Sequence, residues 1–286
     1  MCGLSGFVGV RGQQTRLMLT LGLGNGIDNR GGHASGYVSI SKEGLRYARK
    51  CGEWIKSRMK FVNGAARGDL CMMHARYATC GGRGANSAHP FAIARDGRVV
   101  LWGAHNGMIP KAYESAKENG RVIDVDSQEV FELLADKEYE KLQKLNGYGA
   151  ITWVDAAEPD HVKFARLSRN SDFCVVSLKE GGIVWASTWK ILEEALGVAD
   201  LHVKDNYDVD EVGRVFEFRK DCVYMTNETG VKLASYDTSS NYRRTPSTAS
   251  YEDDDDMAEL IGRWNRADKE STKDSIPDTL RGRIVS

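Results

Sequence analysis

A cysteine directly after the first methionine is the residue of this chain best suited, by type and position, to nucleophilic chemistry. If Met1 is removed, Cys2 carries a free α-amine, whose ordinary pKa of about 7.7–8.0 leaves a useful fraction neutral near pH 7. Such an amine can serve as the base for its own side chain, so no separate histidine is required. A cysteine at this position is weak evidence alone, and the prediction depends on the residue types at later positions of the chain.

Two later segments carry groups that could bind a charged substrate and a developing oxyanion. In His74-Ala75-Arg76 the histidine and the arginine share one face of a predicted strand. Arginine at a strand end is suited to a bidentate grip on a carboxylate, and Thr79 adds a hydroxyl. In His105-Asn106-Gly107 the Asn106 amide and the Gly107 backbone N–H could donate to an oxyanion. The alternative there is an ordinary Asn-Gly turn after a strand.

Asp126 lies at the predicted start of a helix and has two interpretations. As the N-cap, with Glu129 three residues later, it completes a capping box. Its other interpretation, a role in binding the amine of a substrate, is what the resemblance described next implies. The sequence allows Asp126 to serve both purposes.

Taken in order, these segments resemble the class II glutamine amidotransferases, which are N-terminal-nucleophile hydrolases. The segments that carry the resemblance are Met1–Gly9, Asn29–Gly36, His74–Thr79, Asn86–Pro90, His105–Ile109 and Val125–Phe131. The chain departs from the family pattern at His33 and Ala34, where Asp and Ser are usual, and at Cys80, where His is usual. Thr188 and Trp189 stand where Glu is common near the end of the family's later sheet.

The resemblance implies an α+β fold, a four-layer αββα sandwich of the N-terminal-nucleophile hydrolase type. It implies that the thiol attacks the side-chain amide of glutamine, releases ammonia and forms a thioester that water resolves, with no cofactor. The residues to which it assigns roles are Cys2, Asn106 and Gly107 in catalysis and Arg76, Thr79 and Asp126 in substrate binding.

Composition excludes several classes of function. The chain has 286 residues, of which 41% are hydrophobic and 28% charged, with a formal net charge of -1. This balance favours a globular protein and gives no sign of a nucleic-acid or membrane partner. The N-terminus lacks a secretory signal, no stretch reaches the roughly 18 apolar residues of a membrane span, and the cysteines form no CxxC pair. We therefore expect reduced thiols and a cytoplasmic location.

The predicted organisation is a glutaminase domain over residues 2–234, followed by a different kind of segment over 235–286. Residues 235–286 combine a polar linker, an acidic run and an amphipathic helix around Met257–Trp264. This helix either packs on its own domain or docks a partner.

Within the predicted glutaminase domain, strands are expected in runs with helices between them, which favours antiparallel sheets. Among the elements expected are a helix over 13–28, a hairpin that turns at residues 42–44, a helix over 53–63 and a strand over 99–104 that ends before His105.

Three alternatives remain open at the level of the sequence. The first is a hydrolase acting on a γ-glutamyl amide larger than glutamine, and the second is a non-catalytic module that binds glutamine or a partner. The third, a metal site, is disfavoured because no zinc-finger spacing occurs among the candidate ligands. Those ligands are Cys71, His74, Cys80, His89 and His105. For the favoured function we expect a separate ammonia-accepting enzyme subunit as partner.

Overall fold

The computed structural model describes residues 2–79, 81–168, 171–220, 222–229 and 231–233. The elements of the first half are β1 (Gly3–Val8), α1 (Gln13–Asp28), β2 (Ala34–Ser41), β3 (Gly44–Cys51), α2 (Met59–Ala66), β4 (Leu70–Arg76), a 3-10 turn (Ala85–Ser87), β5 (Phe91–Arg95) and β6 (Arg98–Met108). The second half contains α3 (Ala112–Glu118), α4 (Asp126–Ala135), α5 (Tyr139–Leu142), β7 (Tyr148–Asp155), β8 (Val162–Arg166), β9 (Cys174–Leu178), β10 (Ile183–Ala186), α6 (Trp189–Ala199), β11 (Val203–Tyr207), β12 (Arg214–Phe218) and β13 (Val223–Thr229). The linker and helix predicted over 235–286 lie outside the described residues, so the domain boundary stays a prediction.

The strands form two antiparallel sheets. A seven-stranded sheet has the order β11-β9-β10-β1-β4-β2-β3, and a six-stranded sheet has the order β13-β12-β8-β7-β6-β5. In the first sheet β1 lies between β10 and β4, with Ser5 opposite both Ala186 and Met73. The first strand of the chain is therefore a central strand, and Cys2 enters the sheet between two neighbours.

Alternation of side chains along the strands separates the layers, because successive residues point to opposite faces. On β1, Leu4 and Val8 lie in the core between the two sheets, whereas Phe7 packs with the helices α1 and α6. On the second sheet, α4 covers the outer face through residues such as Phe131. Helices thus cover both outer faces of two packed sheets, and the predicted αββα sandwich is confirmed.

Helix α1 approaches the start of β1 closely. A Cβ atom placed on Gly3 would lie 2.5 Å from Cβ of Ile27, so a larger residue there would push the helix away. The glycine that follows Cys2 therefore lets the end of α1 lie directly against the first residues of β1. This contact helps to fix where Cys2 can lie.

Two predicted boundaries were wrong, each for an identifiable reason. The helix expected over 53–63 begins at Met59, because the Asp28 carboxylate holds the preceding turn by accepting hydrogen bonds from Trp54 N at 2.8 Å and Ile55 N at 2.7 Å. The strand expected to end before His105 continues to Met108, because it pairs with β7 over its second half. Among the described residues, no helix has the length and apolar character needed to cross a membrane.

Candidate active site

Cys2 lies half-buried just before β1, beside the end of β4. Its thiol is 3.6 Å from the carbonyl oxygen of Tyr77, to which it donates. Burial raises the pKa of the Cys2 thiol, the contact with the Tyr77 backbone lowers it, and among nearby charges Arg76 lowers it while Asp126 raises it. The predicted nucleophile therefore lies within the electrostatic range of both predicted substrate-binding charges.

Arg30 holds the backbone of the nucleophile. Its Nε donates to the Cys2 carbonyl oxygen at 3.0 Å. Next to it, a Cβ on Gly31 would lie 2.6 Å from the carbonyl oxygen of Ala75, so glycine permits the loop after α1 to approach the end of β4. This glycine-containing loop thus lies directly against the strand end, and its arginine binds the nucleophilic residue itself.

Asn106 and Gly107 lie on β6, in the other sheet from Cys2. The buried Asn106 amide nitrogen donates to Ser187 Oγ at 3.4 Å. That hydroxyl in turn donates to the carbonyl oxygen of Leu4 at 3.0 Å and accepts from Leu4 N at 2.8 Å. One serine hydroxyl thus connects the predicted oxyanion donor to the strand that carries Cys2, and Gly107 is partly exposed beside it.

Arg76, the last residue of β4, is buried next to the glycine-rich loop. Its Nη1 donates to the carbonyl oxygen of Gly82 at 2.6 Å, which holds that loop against the site. Thr79, three residues later, is exposed in the bend that follows the strand. The structure therefore places Cys2 and Arg76 together, and leaves Thr79 on the exposed segment beside them.

Asp126 is buried at the first residue of α4. Its Oδ2 accepts from Ile109 N at 2.7 Å, and its Oδ1 accepts from Ser127 N at 2.8 Å. These bonds orient the carboxylate between the end of β6 and the first turn of the helix. The carboxylate thereby joins the helix start to the segment that follows Gly107.

The capping box predicted at this helix was wrong by one residue. Val125 is the N-cap, and Gln128 rather than Glu129 closes the box, with its Oε1 accepting from Val125 N at 3.0 Å. Glu129 is instead held by Arg121 at 3.2 Å. Asp126 is therefore not the N-cap of this helix.

His33 shapes the rim of the site at a position where the family has Asp. Its Nδ1 accepts from Ala78 N at 2.9 Å, and its ring stacks on Tyr77 with 4.8 Å between centroids. The imidazole thus orders the segment after β4. Cys80, the other departure in this region, lies outside the described residues.

Cys71 and His74 lie on opposite faces of β4, as alternation along a strand requires. Cys71 packs in the cluster under α1, whereas His74 points to the other side, where its Nε2 lies 2.9 Å from Nδ1 of His89. Among the described residues, no group of three or more His, Cys, Asp or Glu side chains is arranged to hold a metal ion.

Three contributors to the geometry were missed from the sequence: Arg30, Ser127 and Ser187. Ser187 follows the Trp185-Ala186 pair at the end of a buried strand. A serine at such a position is only weak evidence for a role in a site. Arg30 stood out by its glycine neighbours, but nothing in the sequence indicated that it binds the Cys2 carbonyl.

Comparisons with known proteins concern the family and the fold of the chain. No family model matches the chain. A glutamine–fructose-6-phosphate aminotransferase of Pseudomonas putida is 26% identical over 249 residues, covering 82% of this chain and 38% of the relative. The protein of the same name from Thermococcus kodakarensis is 28% identical over 242 residues, which cover 76% of this chain and 39% of that relative. This chain therefore spans well under half the length of these curated relatives.

Solved structures give the same fold. The glutamine phosphoribosylpyrophosphate (PRPP) amidotransferase of B. subtilis, complexed with ADP and GMP, superimposes with a TM-score of 0.60 and 20% identity. The match covers 79% of this chain and 49% of that protein. Its low identity supports the fold alone, whereas the motifs and the curated relatives extend along the sequence. The motifs and the curated relatives together support the class II, N-terminal-nucleophile glutamine amidotransferases as the family that this chain resembles.

Proposed function

We propose that this chain hydrolyses the side-chain amide of glutamine to glutamate and ammonia through a thioester on Cys2. One observation carries the proposal: the Cys2 thiol lies near both Arg76 and Asp126, and Ser187 ties its strand to Asn106. The predicted nucleophile thus lies within the electrostatic influence of two opposite charges, and its strand is linked to the predicted oxyanion donor.

The reaction begins with loss of Met1, which frees the α-amine of Cys2. This amine takes the thiol proton, and the sulfur attacks the amide carbon. The developing oxyanion accepts hydrogen bonds from the Asn106 side-chain amide and the Gly107 backbone N–H. The same amine returns its proton to the leaving nitrogen, ammonia departs, and water then attacks the thioester to release glutamate.

Glutamine is recognised through its amino-acid end. The Arg76 guanidinium binds the α-carboxylate, and because it has five N–H donors it can do so while keeping its bond to Gly82 O. Asp126 binds the α-amine, and the Thr79 hydroxyl adds a hydrogen bond to the carboxylate. A larger γ-glutamyl amide presents the same end, so such an amide is needed as a competing test substrate.

The ammonia serves an acceptor enzyme, which we propose to be a separate subunit. The curated relatives are named for transferring an amino group to fructose-6-phosphate, and this chain covers 38% of the first of them. Affinity purification of the tagged full chain from its native source tests this idea. A synthetase or transferase should be recovered whose ammonia-dependent reaction becomes glutamine-dependent when this chain is added.

The deciding experiment is a glutamate-release assay combined with intact-mass analysis. Purified protein should lack Met1 and should release glutamate from glutamine faster than from γ-glutamyl-p-nitroanilide. Cys2→Ala should abolish release, whereas Cys222→Ala, at another half-buried cysteine, should leave it unchanged. Activity that survives Cys2→Ala would contradict the proposal. So would a protein that has lost Met1 but releases no glutamate even with the acceptor present.

A further inference from the structure

Three buried histidines lie beneath the candidate active site and contact one another. His74 Nε2 is 3.0 Å from the carbonyl oxygen of His105 and 2.9 Å from Nδ1 of His89. His105 Nδ1 is 2.8 Å from Ser127 Oγ. The described contacts thus connect strand β4, strand β6, the residue before cis-Pro90 and the start of α4.

The contact with a carbonyl oxygen favours one tautomer for each of two of these rings. A carbonyl oxygen can only accept, so His74 Nε2 must carry the proton that points at His105 O. That proton is shared with His89 Nδ1, which therefore accepts, and the proton of neutral His89 lies on Nε2. The reverse arrangement would place an unprotonated Nε2 against the carbonyl oxygen, which is repulsive.

Burial favours the neutral form of all three rings. Burial lowers the pKa of His74 to about 3, well below the ordinary value of a histidine. Burial and the neighbouring rings lower the pKa of His89 well below that value, and burial also lowers the pKa of His105. A proton acceptor for catalysis would need a pKa closer to neutrality, so these imidazoles serve as fixed hydrogen-bonding groups.

His74, His105 and Ser127 each lie one or two residues along the chain from a residue that the proposed reaction uses. His105 precedes Asn106, and His74 lies two residues before Arg76 on the same strand. Ser127 follows Asp126, and its hydroxyl donates to Asp126 Oδ1 at 3.2 Å. The His74–His105 bond also crosses between the sheets, because β4 belongs to the seven-stranded sheet and β6 to the six-stranded sheet.

We propose that His74 and His105 are positioning residues that set the distance between the Cys2 sheet and the oxyanion donors, while Ser127 orients Asp126. The proposal rests on the proposed glutaminase function. Nucleophile and oxyanion donor lie on different sheets, so an error in sheet separation transfers directly to the reacting atoms. Misplacement by about 1 Å can cost about 100-fold in rate.

Substitutions at His74 and at Ser127 should produce different kinetic defects. His74→Leu removes the bond between the sheets and should lower kcat about 10- to 100-fold with little change in KM, because the oxyanion exists only in the transition state. His74→Gln, whose Nε2 can reach the same carbonyl, should restore most of kcat. Ser127→Ala should instead raise KM about 2- to 10-fold, because it loosens one hydrogen bond on the group that binds the amine.

A purely structural role would behave differently. It would lower the melting temperature in proportion to the lost bonds without separating kcat from KM. The control His202→Leu, at an exposed histidine bonded to Glu180, should leave both constants unchanged. An unaltered kcat in folded His74→Leu protein, or an equal loss in His74→Gln, would overturn the proposal.

A second readout does not depend on activity. Nitrogen NMR of 15N-histidine-labelled protein, with His74→Gln for assignment, should show the Nε2–H tautomer for His74 and His89 between about pH 5 and 8. An Nδ1–H or protonated His74 in this range would overturn the proposed network. An inactive parent protein with the expected tautomers would count against the glutaminase function, whereas an active parent with the wrong tautomers would count against the network.

Discussion

Strand β1 has opposite surroundings at its two ends. At its start, Cys2, Asn106 and Asp126 lie in a region where polar groups are buried and joined by hydrogen bonds. At its end, beyond Val8, a cavity of about 750 Å³ opens between the edges of the two sheets, and its lining includes seven charged side chains. The charged lining residues are Arg11, Arg16, Lys42, Asp69, Asp160, Arg219 and Lys220, together with His161.

The difference between the ends lies in how firmly the polar groups are held. In the cavity, Lys42 and Lys220 are exposed, and Arg16 meets Asp69 at 3.4 Å with 60% of the aspartate side chain exposed. The exposed side chains among these are screened by water and salt, whereas Arg16 is held by hydrogen bonds to the carbonyl oxygens of Ala66 and Val10, both at 3.1 Å. At the start of β1 each group is oriented before any substrate arrives, which is what electrostatic catalysis requires. Fixed orientation, rather than cavity volume or charge, therefore distinguishes the candidate site.

Among the substitutions that test the difference between the two ends of β1, the largest effect is expected at Asn106. Asn106→Ala should lower kcat about 10²- to 10³-fold with a small change in KM, because the lost donor meets charge that develops in the transition state. Ser187 keeps its two bonds to Leu4, so the strand contact survives. Steady-state glutaminase kinetics measure the effect, with Asn206→Ala on the exposed strand β11 as the control. A kcat within about two-fold of the parent would remove Asn106 from the oxyanion site.

The next effect concerns stability at low pH. The pKa of His74 is lowered to about 3 in the folded protein, and those of His89 and His105 are also lowered, so the unfolded chain binds more protons below about pH 6.5. The contribution of His74 is therefore complete above about pH 6.5 and falls toward about pH 3, by about 1.4 kcal/mol per pH unit, and His89 and His105 shift stability in the same direction.

One group opposes this trend. Burial raises the pKa of Asp28 to about 7, so its contribution is present at low pH and is lost as the pH rises through about 7. Between about pH 6 and 4 the contributions of His74 and Asp28 nearly cancel, so the lowered pKa values of His89 and His105 should produce a net loss of stability on acidification. Urea midpoints across this range measure it, and His74→Gln should make the slope shallower. A slope unaffected by that change would mean that His74 is not buried as a neutral ring.

The sequence alone indicated the candidate reactive residues more readily than the residues that hold them in place. Cys2, Arg76 and Asn106 were identifiable because each belongs to a short contiguous segment whose residue types suit one chemical task. The bonds from Arg30 to the Cys2 carbonyl and from Ser187 to Asn106 join segments far apart in the chain. They depend on strand order and register, which local patterns do not specify.

The errors in secondary structure have the same origin. The Asn106-Gly107 pair has the composition of a turn, yet pairing with β7 keeps it in a strand, with Gly107 opposite Gly149. The capping residue of α4 was misplaced because Gln128 and Glu129 both satisfy the local rule. Helix α1 and the β2–β3 hairpin were predicted correctly, since local apolar spacing and a short polar turn were sufficient to identify them.

The smallest effect is expected at the far end of β1. Lys42→Ala and Lys220→Ala should each change glutaminase kcat/KM by less than about two-fold and stability by less than about 0.5 kcal/mol. The six residues of β1 separate this cavity from Cys2 by about 20 Å, more than twice the screening length of about 8 Å at physiological salt. Kinetics at low and high salt test the reason as well as the result. A larger change that disappears at high salt would mean that the cavity charges act on the site over this distance, and fixed orientation would then no longer be what separates the two ends.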